Sequence, residues 1–538
     1  MDILNLAAFS QAEPSQAEQF RQLQRQLRDR WQSIELFDNS ENDILVIPSL
    51  SLDQRELLKI EGAHFYEERL LFSLIRLRNP RSRVVYVTSK PLPSIVIDYY
   101  LHLLPGIPFS HARDRLLLLS TYDASNRPLT QKLLERPRLL DRIRQALRPN
   151  KSFMICYNST AMEQQLSVEL GIPLLGLDPD LLYWGTKSGS RQIFQEAGIP
   201  HPDGSQQVWS AKDLAVAAAE LWERHPDLQR LVIKLNEGFS GEGNALLNLR
   251  SLQEVAPGQT SHAVRVEAIY RGFESLSFQA KDETWANFSS RIQELGAIAE
   301  AFIEGAEKRS PSFQGRINPD GEVEILSTHD QILGGPDGQI FLGCRFPADP
   351  AYRLQLQEMG VQVGKNLAAK GALERYGVDF IAVQVGENQW QLEAIEINLR
   401  KGGTTHPFMT LKYLTKGHYN LSSGLFHSQH GPAKYYIATD NLQRDSYRGL
   451  LPHDLIDIVA HHQLHFDSST ETGSVFHLIG CLSEFGKLGL TSIGNSPQEA
   501  EEIYNQVIAT LDQETTAATP HHAYLGTRFT ATSAGDYS

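Results

Sequence analysis

Cysteine is scarce in this chain. Among 538 residues there are three, Cys156, Cys344 and Cys481, far apart in sequence. An odd number without close spacing excludes a disulfide framework and a cysteine-built zinc site, and it points to a reducing, cytoplasmic setting. Long apolar runs are also absent. No stretch approaches the roughly 18 residues of a membrane span. The opening Met1-Asp2-Ile3-Leu4-Asn5-Leu6 has neither a basic region nor a long apolar core, so no signal peptide is expected. Positive charge is in deficit, with 50 Lys+Arg against 64 Asp+Glu and a net charge of −14, which argues against a general nucleic-acid binder. The deficit is uneven: residues 1–151 hold 22 basic and 18 acidic side chains, the remainder 28 and 46. No internal repeat is visible. What remains is globular in composition, 41% hydrophobic and 21% charged, and long enough for three or four domains at roughly 150 residues each.

The hydrophobic pattern divides the chain. Phe20, Leu23, Leu27 and Trp31 recur at helical spacing in the Gln- and Arg-rich segment 13–33, which predicts an amphipathic helix. Short apolar runs at 44–48, 84–88, 116–120 and 153–157 then alternate with helical stretches at 61–78 and 93–104, the pattern of a doubly wound parallel sheet. Residues 179–415 read as an α+β region. It has strands at 231–236, up to 302–303, near 378–384 and at 390–397, and Asn318-Pro319-Asp320-Gly321 marks a hairpin turn. Residues 416–512 mix short strands (433–438, 474–479) with helices at 452–462 and 497–511. From 513 to 538 the chain is rich in Thr, Ala, Ser and Gly and reads as a loose tail. The expected division is 1–178, 179–415, 416–512 and the tail.

Four segments carry chemistry. In Leu231-Val232-Ile233-Lys234-Leu235-Asn236, strand alternation puts Lys234 on the face opposite Leu231, Ile233 and Leu235. A lysine in such a strand is costly unless it meets an anion. Gly238, Ser240, Gly241 and Gly243 follow, a flexible loop whose N–H groups can wrap phosphate oxygens. The alternative is a hairpin with a solvated lysine. In Leu392 to Arg400, alternation puts Glu396, Asn398 and Arg400 on one face, with carboxylate and amide about 7 Å apart, suited to a hard cation such as Mg²⁺. Asp379 offers a second carboxylate from a neighbouring strand. The third segment, Ala299 to Glu307, is an apolar strand end flanked by acids. The fourth runs from Asp178 through Lys187 to a helix stopped by Ala197-Gly198-Ile199-Pro200.

Taken in order, these four segments resemble the ATP-grasp superfamily of carboxylate–amine ligases over residues 178–415. The flanking Leu326-Ser327-Thr328-His329-Asp330-Gln331-Ile332-Leu333-Gly334-Gly335 and Gly343-Cys344-Arg345-Phe346-Pro347 are similar to the pheganomycin-type peptide ligases. So is the order of an α/β pre-ATP-grasp domain, an ATP-grasp core and a small C-terminal α+β domain. The resemblance implies an enzyme that phosphorylates a carboxylate with ATP and passes the acyl group to an amine, forming an amide or peptide bond. It implies Lys187 and Lys234 at the α- and β-phosphates, and Gly238, Ser240, Gly241 and Gly243 over the β- and γ-phosphates. Glu300, Ala301 and Ile303 would line the adenine, with Glu307 at the ribose. Asp379, Glu396 and Asn398 would hold Mg²⁺, and Arg400 would steady the transferring phosphoryl group. Arg316 and Arg345 are candidates for substrate carboxylates, with salt bridges as the alternative. These roles suit phosphoryl transfer, which is mostly positioning and charge neutralisation. The implied partners are small carboxylate and amine or peptide substrates, with no nucleic acid and no membrane, and a homodimer suits the family.

Two other readings stay open: a thiol or other acceptor on the same fold, and a catalytically silent nucleotide-binding module. The retained Lys187, Lys234, Glu396, Asn398 and Arg400 argue against silence. Gly480 to Lys487 is not a phosphate-binding Walker loop, because it is one residue too long and Leu488 stands where Ser or Thr is needed. His453, His461, His462 and His465 lack a ligating pattern, and the arginines at 136–148 read as a solvated or interface helix.

Overall fold

A computed structural model of the chain describes residues 14–35, 41–52, 54–104, 106–238, 243–280, 283–334 and 340–516. The first helix, Gln16–Glu35, buries Phe20, Leu27, Trp31 and Ile34, the stripe that its spacing predicts. Five short apolar strands follow: β1 (Asp43–Ile47), β2 (Arg83–Thr88), β3 (Leu116–Ser120), β4 (Ser152–Cys156) and β5 (Leu174–Leu175). They pair in parallel in the order β3-β2-β1-β4-β5, a doubly wound sheet with helical crossovers.

The predicted helix 61–78 begins at Ala63, after Gly62 in the left-handed conformation (φ 66°), and is wound as a 3₁₀ helix to Arg78. Three residues per turn stack positions i and i+3. Tyr66 and Arg69 therefore share a row, with the guanidinium 4.1 Å from the ring centroid. Two acids on this helix are buried. Glu67 accepts from Ser89 N (2.5 Å) and Ser89 Oγ (2.6 Å), and Glu68 from Gly480 N (3.0 Å). Burial outweighs these hydrogen bonds and raises the carboxyls to about 7 and about 8. In the unfolded chain both ionise near the ordinary carboxylate value. Between that value and pH 8 the folded state therefore holds more protons, and stability must fall as pH rises. The melting temperature is expected to decline from pH 6 to 9, and Glu68→Gln should flatten the decline; a pH-independent melt in the parent protein would contradict it.

A four-stranded sheet, in the order β8-β7-β6-β9, is built from β6 (Arg230–Leu235), β7 (Asn244–Asn248), β8 (Ser277–Phe278) and β9 (Ala297–Ala301). The strand expected to reach 302–303 thus ends at Ala301. The remaining strands form one eleven-stranded sheet. Its first part holds β10 (Lys308–Arg309), β11 (Pro311–Ile317), β12 (Val323–Gly334), β13 (Ile340–Phe346), β14 (Glu374–Gly386) and β15 (Gln389–Asn398). Its second part holds β16 (His418–Asn420), β17 (Leu425–His427), β18 (Ala433–Gln443), β19 (Gly473–His477) and β20 (Lys487–Gly494). The turn at 318–321 joins β11 to β12 as predicted, with Asn318 N donating to Glu322 O at 3.0 Å.

Strand β18 pairs with β13, so the C-terminal segment continues the sheet of the middle region. It also packs on the N-terminal sheet's helices: Tyr100 OH donates to Phe476 O (3.1 Å) and Phe476 N donates to Tyr99 OH (3.0 Å). The sequence reading does not anticipate β20, a wholly buried strand that mixes Leu488, Leu490 and Ile493 with Gly, Thr and Ser, or the extension of the last helix, Pro497–Thr516, through the first residues of the expected tail. Residues 517–538 of that tail lie outside the described residues, as does Gly335. No described helix is long and apolar enough to cross a membrane.

Candidate active site

A cleft of about 1080 Å³ lies between the four-stranded sheet and the large sheet, with the helix at 63–78 and the strands β18 and β20 at one end. Lys234, Asn244, Glu300, Ala301 and Ile303 line it from the smaller sheet. Asp379, Glu396, Asn398 and Arg400 line it from the larger.

The helix Lys187–Ala197 ties the two walls together. Thr186 caps it by accepting from Gly189 N (3.1 Å). Gly189 is required there because a Cβ would stand 2.0 Å from Tyr183 O. Lys187 N and Ser188 N donate to Asn236 O (3.0 Å) and Asn236 Oδ1 (2.9 Å), which anchors the helix to the end of β6. Ile397 N donates to Ser190 Oγ (3.0 Å), which anchors it to β15. Lys187 does not line the cleft itself; its Nζ lies 2.5 Å from Glu396 Oε1, behind the cleft-facing carboxylate.

On β6, Lys234 projects to the polar face as alternation predicts, and its ammonium pairs with Glu300 on β9. Glu300, 2% exposed, also meets Arg191 at 3.3 Å. The loop that follows begins and ends close together, since Leu235 N donates to Gly243 O at 2.8 Å. Gly238 and Gly243 flank it but do not line the cleft, and the predicted Ser240 and Gly241 lie outside the described residues.

The β14–β15 hairpin sets Asp379 directly opposite Glu396, and Gly377 opposite Asn398, with a bulge after Asp379. Asp379 accepts from Gln331 Nε2 (2.7 Å) and Asn398 Nδ2 (2.8 Å). Burial, and then the Glu396 charge, push its carboxyl up to about 7, although Arg400, Lys187 and Asn398 pull it down. Two carboxylates and an amide facing one cleft are a donor set that a hard cation fits, and crowding of like charge is what such a cation relieves. Among the described residues no group of three or more His, Cys, Asp or Glu converges on a metal position, so the protein would supply two carboxylates and leave further positions to phosphate and water.

Two further sequence candidates do not line the cleft. Glu307 is half-exposed and pairs with Arg309 at 3.2 Å, outside the lining of the cleft. Arg316 lies two residues beyond Gln314, a cleft residue. That places it about 7 Å farther along β11, where it pairs with Glu324 and Glu35 (2.5 Å) and covers the Trp31 ring at 4.7 Å. Arg345 does line the cleft, opposite Asp330, and reaches Glu501 at 2.8 Å. Reading the sequence alone overlooks Arg309, which pairs with Asp349 (2.7 Å) beside the cleft, and Gln331, which holds Asp379. The His329-Asp330-Gln331 motif was the available signal for Gln331.

A polyphosphate-sized cleft between a small antiparallel sheet carrying a lysine and a larger sheet carrying paired carboxylates defines the ATP-grasp fold. Residues 181–422 match the model of the IQCH-like ATP-grasp domain, and residues 454–507 that of the PGM1 C-terminal domain. The chain is 28% identical over 467 residues to the L-propargylglycine–L-glutamate ligase of Streptantibioticus cattleyicolor, covering 85% of this chain and 91% of that one. It is 24% identical to IQ motif-containing protein H of Danio rerio over 75% of this chain, but spans 42% of that protein. In fold it is similar to the biotin carboxylase domain of the Hydrogenobacter thermophilus 2-oxoglutarate carboxylase, solved with MgADP, ADP and bicarbonate. The TM-score is 0.53 at 13% identity, over 87% of this chain and 90% of that one. Residues 181–422 thus form an ATP-grasp domain, and the chain as a whole resembles the pheganomycin-type peptide ligases.

Proposed function

We propose that the chain is an ATP-dependent carboxylate–amine ligase that forms an amide or peptide bond through an acyl phosphate, releasing ADP and phosphate. The carrying observation is the hairpin face on which Asp379, Glu396 and Asn398 stand together beside Arg400, in one cleft with Lys234. In this reading Ala301 and Ile303 flank the adenine, Lys234 meets a phosphate, and Lys187 reaches the phosphates from behind Glu396. Asp379, Glu396 and Asn398 would hold Mg²⁺, which would supply charge neutralisation for the phosphates when bound. Arg400 takes the charge that develops on that group. Glu300 holds Lys234 in position rather than touching the adenine, because its carboxylate is enclosed by Lys234 and Arg191. The substrate carboxylate attacks the γ-phosphorus, and the amine then attacks the acyl carbon and expels phosphate. No nucleophilic side chain is needed, and the three buried cysteines fit that: burial pushes each thiol well above its ordinary value.

The test is an ADP-release assay with pooled amino acids and dipeptides in the presence of hydroxylamine. Hydroxamate formed in step with ADP is the expected result. ADP release without hydroxamate would sink carboxylate activation, and mass spectrometry of the products separates an amide from a thioester.

A further inference from the structure

One end of the cleft is built from parts that the nucleotide does not need. Its floor holds Tyr66 and Arg69 from the 3₁₀ helix, Tyr157 after β4, Asp440 from β18 and Lys487 from the first position of β20. The register of β18 against β20 shifts between Thr439 and Leu442, and this bulge turns Asp440 into the cleft.

The floor is one anion short. Arg69 is 8% exposed; it pairs with Asp440, donates to Tyr157 OH at 2.8 Å, and its Nε has no partner among the described residues. Lys487 is also 8% exposed. Its ammonium donates to Tyr66 OH at 2.6 Å, and among the described residues no carboxylate lies within ion-pair distance of it. Glu61, on the rim, is held by Gln443 instead (3.1 Å). Two buried cations, one carboxylate and two phenols leave an uncompensated positive charge facing a cavity, an arrangement that is costly unless an anion completes it.

We propose that this floor seats the free α-carboxylate of an α-amino acid substrate, the carboxylate that is not phosphorylated. The proposal rests on the ligase reading for the fate of the rest of that substrate. A carboxylate gripped by Arg69, Lys487 and two phenolic hydroxyls spends its lone pairs on donors and is a poor nucleophile toward phosphorus. The floor therefore binds one carboxylate and keeps it idle while another reacts at Arg400. The two ends are joined directly: Lys401, next to Arg400, donates its N–H to Tyr157 O at 3.1 Å.

Thermal shift of the full chain is measured with each of the twenty amino acids and with its α-carboxamide, at a saturating non-hydrolysable ATP analogue. At least one free acid is expected to raise the melting temperature by about 2 °C or more while its carboxamide does not. Lys487→Met should erase that difference and keep the nucleotide's own shift. With the amino acid so found, Lys487→Met should raise its KM about 100-fold, the worth of a charged hydrogen bond, with the KM for ATP unchanged. Should that variant fail to fold, Tyr66→Phe keeps the ring and should raise the same KM about 10-fold. A wild-type protein that tells no acid from its amide, or variants that keep the preference, overturns the proposal. Acid-selective binding without hydroxamate formation would sink the ligase reading and leave this site standing; hydroxamate without acid selectivity does the reverse.

Discussion

Glu396→Gln is expected to lower ADP release at least about 1000-fold while the melting temperature stays within a few degrees. Glutamine keeps the shape and an acceptor oxygen but removes the charge. In the free protein two of the charged neighbours of Glu396 have opposite effects. Lys187 stabilises it at 2.5 Å, and Asp379, directly across the hairpin, repels it. Losing the first costs stability and losing the second returns some, because one of the two causes that raise Asp379 disappears and its carboxylate can answer Lys187. The change in fold stability is therefore small. No such offset exists in turnover, where the variant has lost half of the carboxylate charge available to the metal. ADP release measured beside a circular-dichroism melt separates the two. Wild-type turnover in a folded Glu396→Gln protein would sink the metal assignment, and a collapsed melt would mean that the Lys187 pair is structural.

How far this site could be read in the sequence follows from its geometry. Period-two alternation within a single strand places Glu396, Asn398 and Arg400 together, and likewise Lys234 opposite Ile233 and Leu235, so both were legible. The partner of Glu396 was less so. Asp379 and Glu396 are joined through a hairpin with bulges after Asp379 and after Gln384, and each bulge shifts the register by one residue. Residue type and alternation do not reveal such shifts, and a slip of one would have turned Asp379 to the other face. For Arg316 the sequence left a substrate carboxylate and a salt bridge open, and it is found in salt bridges. It shares a strand face with Ser312 and Gln314, but the cleft ends before it and the first helix supplies Trp31 and Glu35 instead. The floor of the cleft was not legible at all. Tyr66 and Lys487 are separated by 421 residues, and only the pairing of β20 with β18 brings the lysine there. The one local sign was Glu67-Glu68-Arg69, three consecutive charges just before the apolar stretch Leu70-Leu71-Phe72, which are tolerated there only if tertiary partners wait for them.

Glu300 and Lys234 should separate stability from nucleotide affinity, in opposite directions. Glu300 is buried between two cations, Lys234 and Arg191. Glu300→Ala removes the acid that, among the described residues, pairs with both and leaves two charges in a low-dielectric wall, so a loss of about 3–5 kcal/mol in unfolding free energy is expected. Lys234→Ala leaves Glu300 with Arg191 still in reach, and the loss should stay nearer about 1–3 kcal/mol. The order reverses for ATP. In Glu300→Ala the lysine remains, less well held but free to move toward phosphate, so a folded fraction should still bind nucleotide. In Lys234→Ala the cation itself is gone, in a chain whose acidic surplus offers no other general attraction for a polyphosphate, and the dissociation constant for ATP should rise about 100-fold. Urea titration and calorimetric titration with ATP read the two quantities independently. Wild-type ATP affinity in Lys234→Ala would remove the lysine from the phosphate site. A Glu300→Ala protein as stable as the parent would mean that water, rather than the carboxylate, compensates Lys234 and Arg191 in the wall of the cleft.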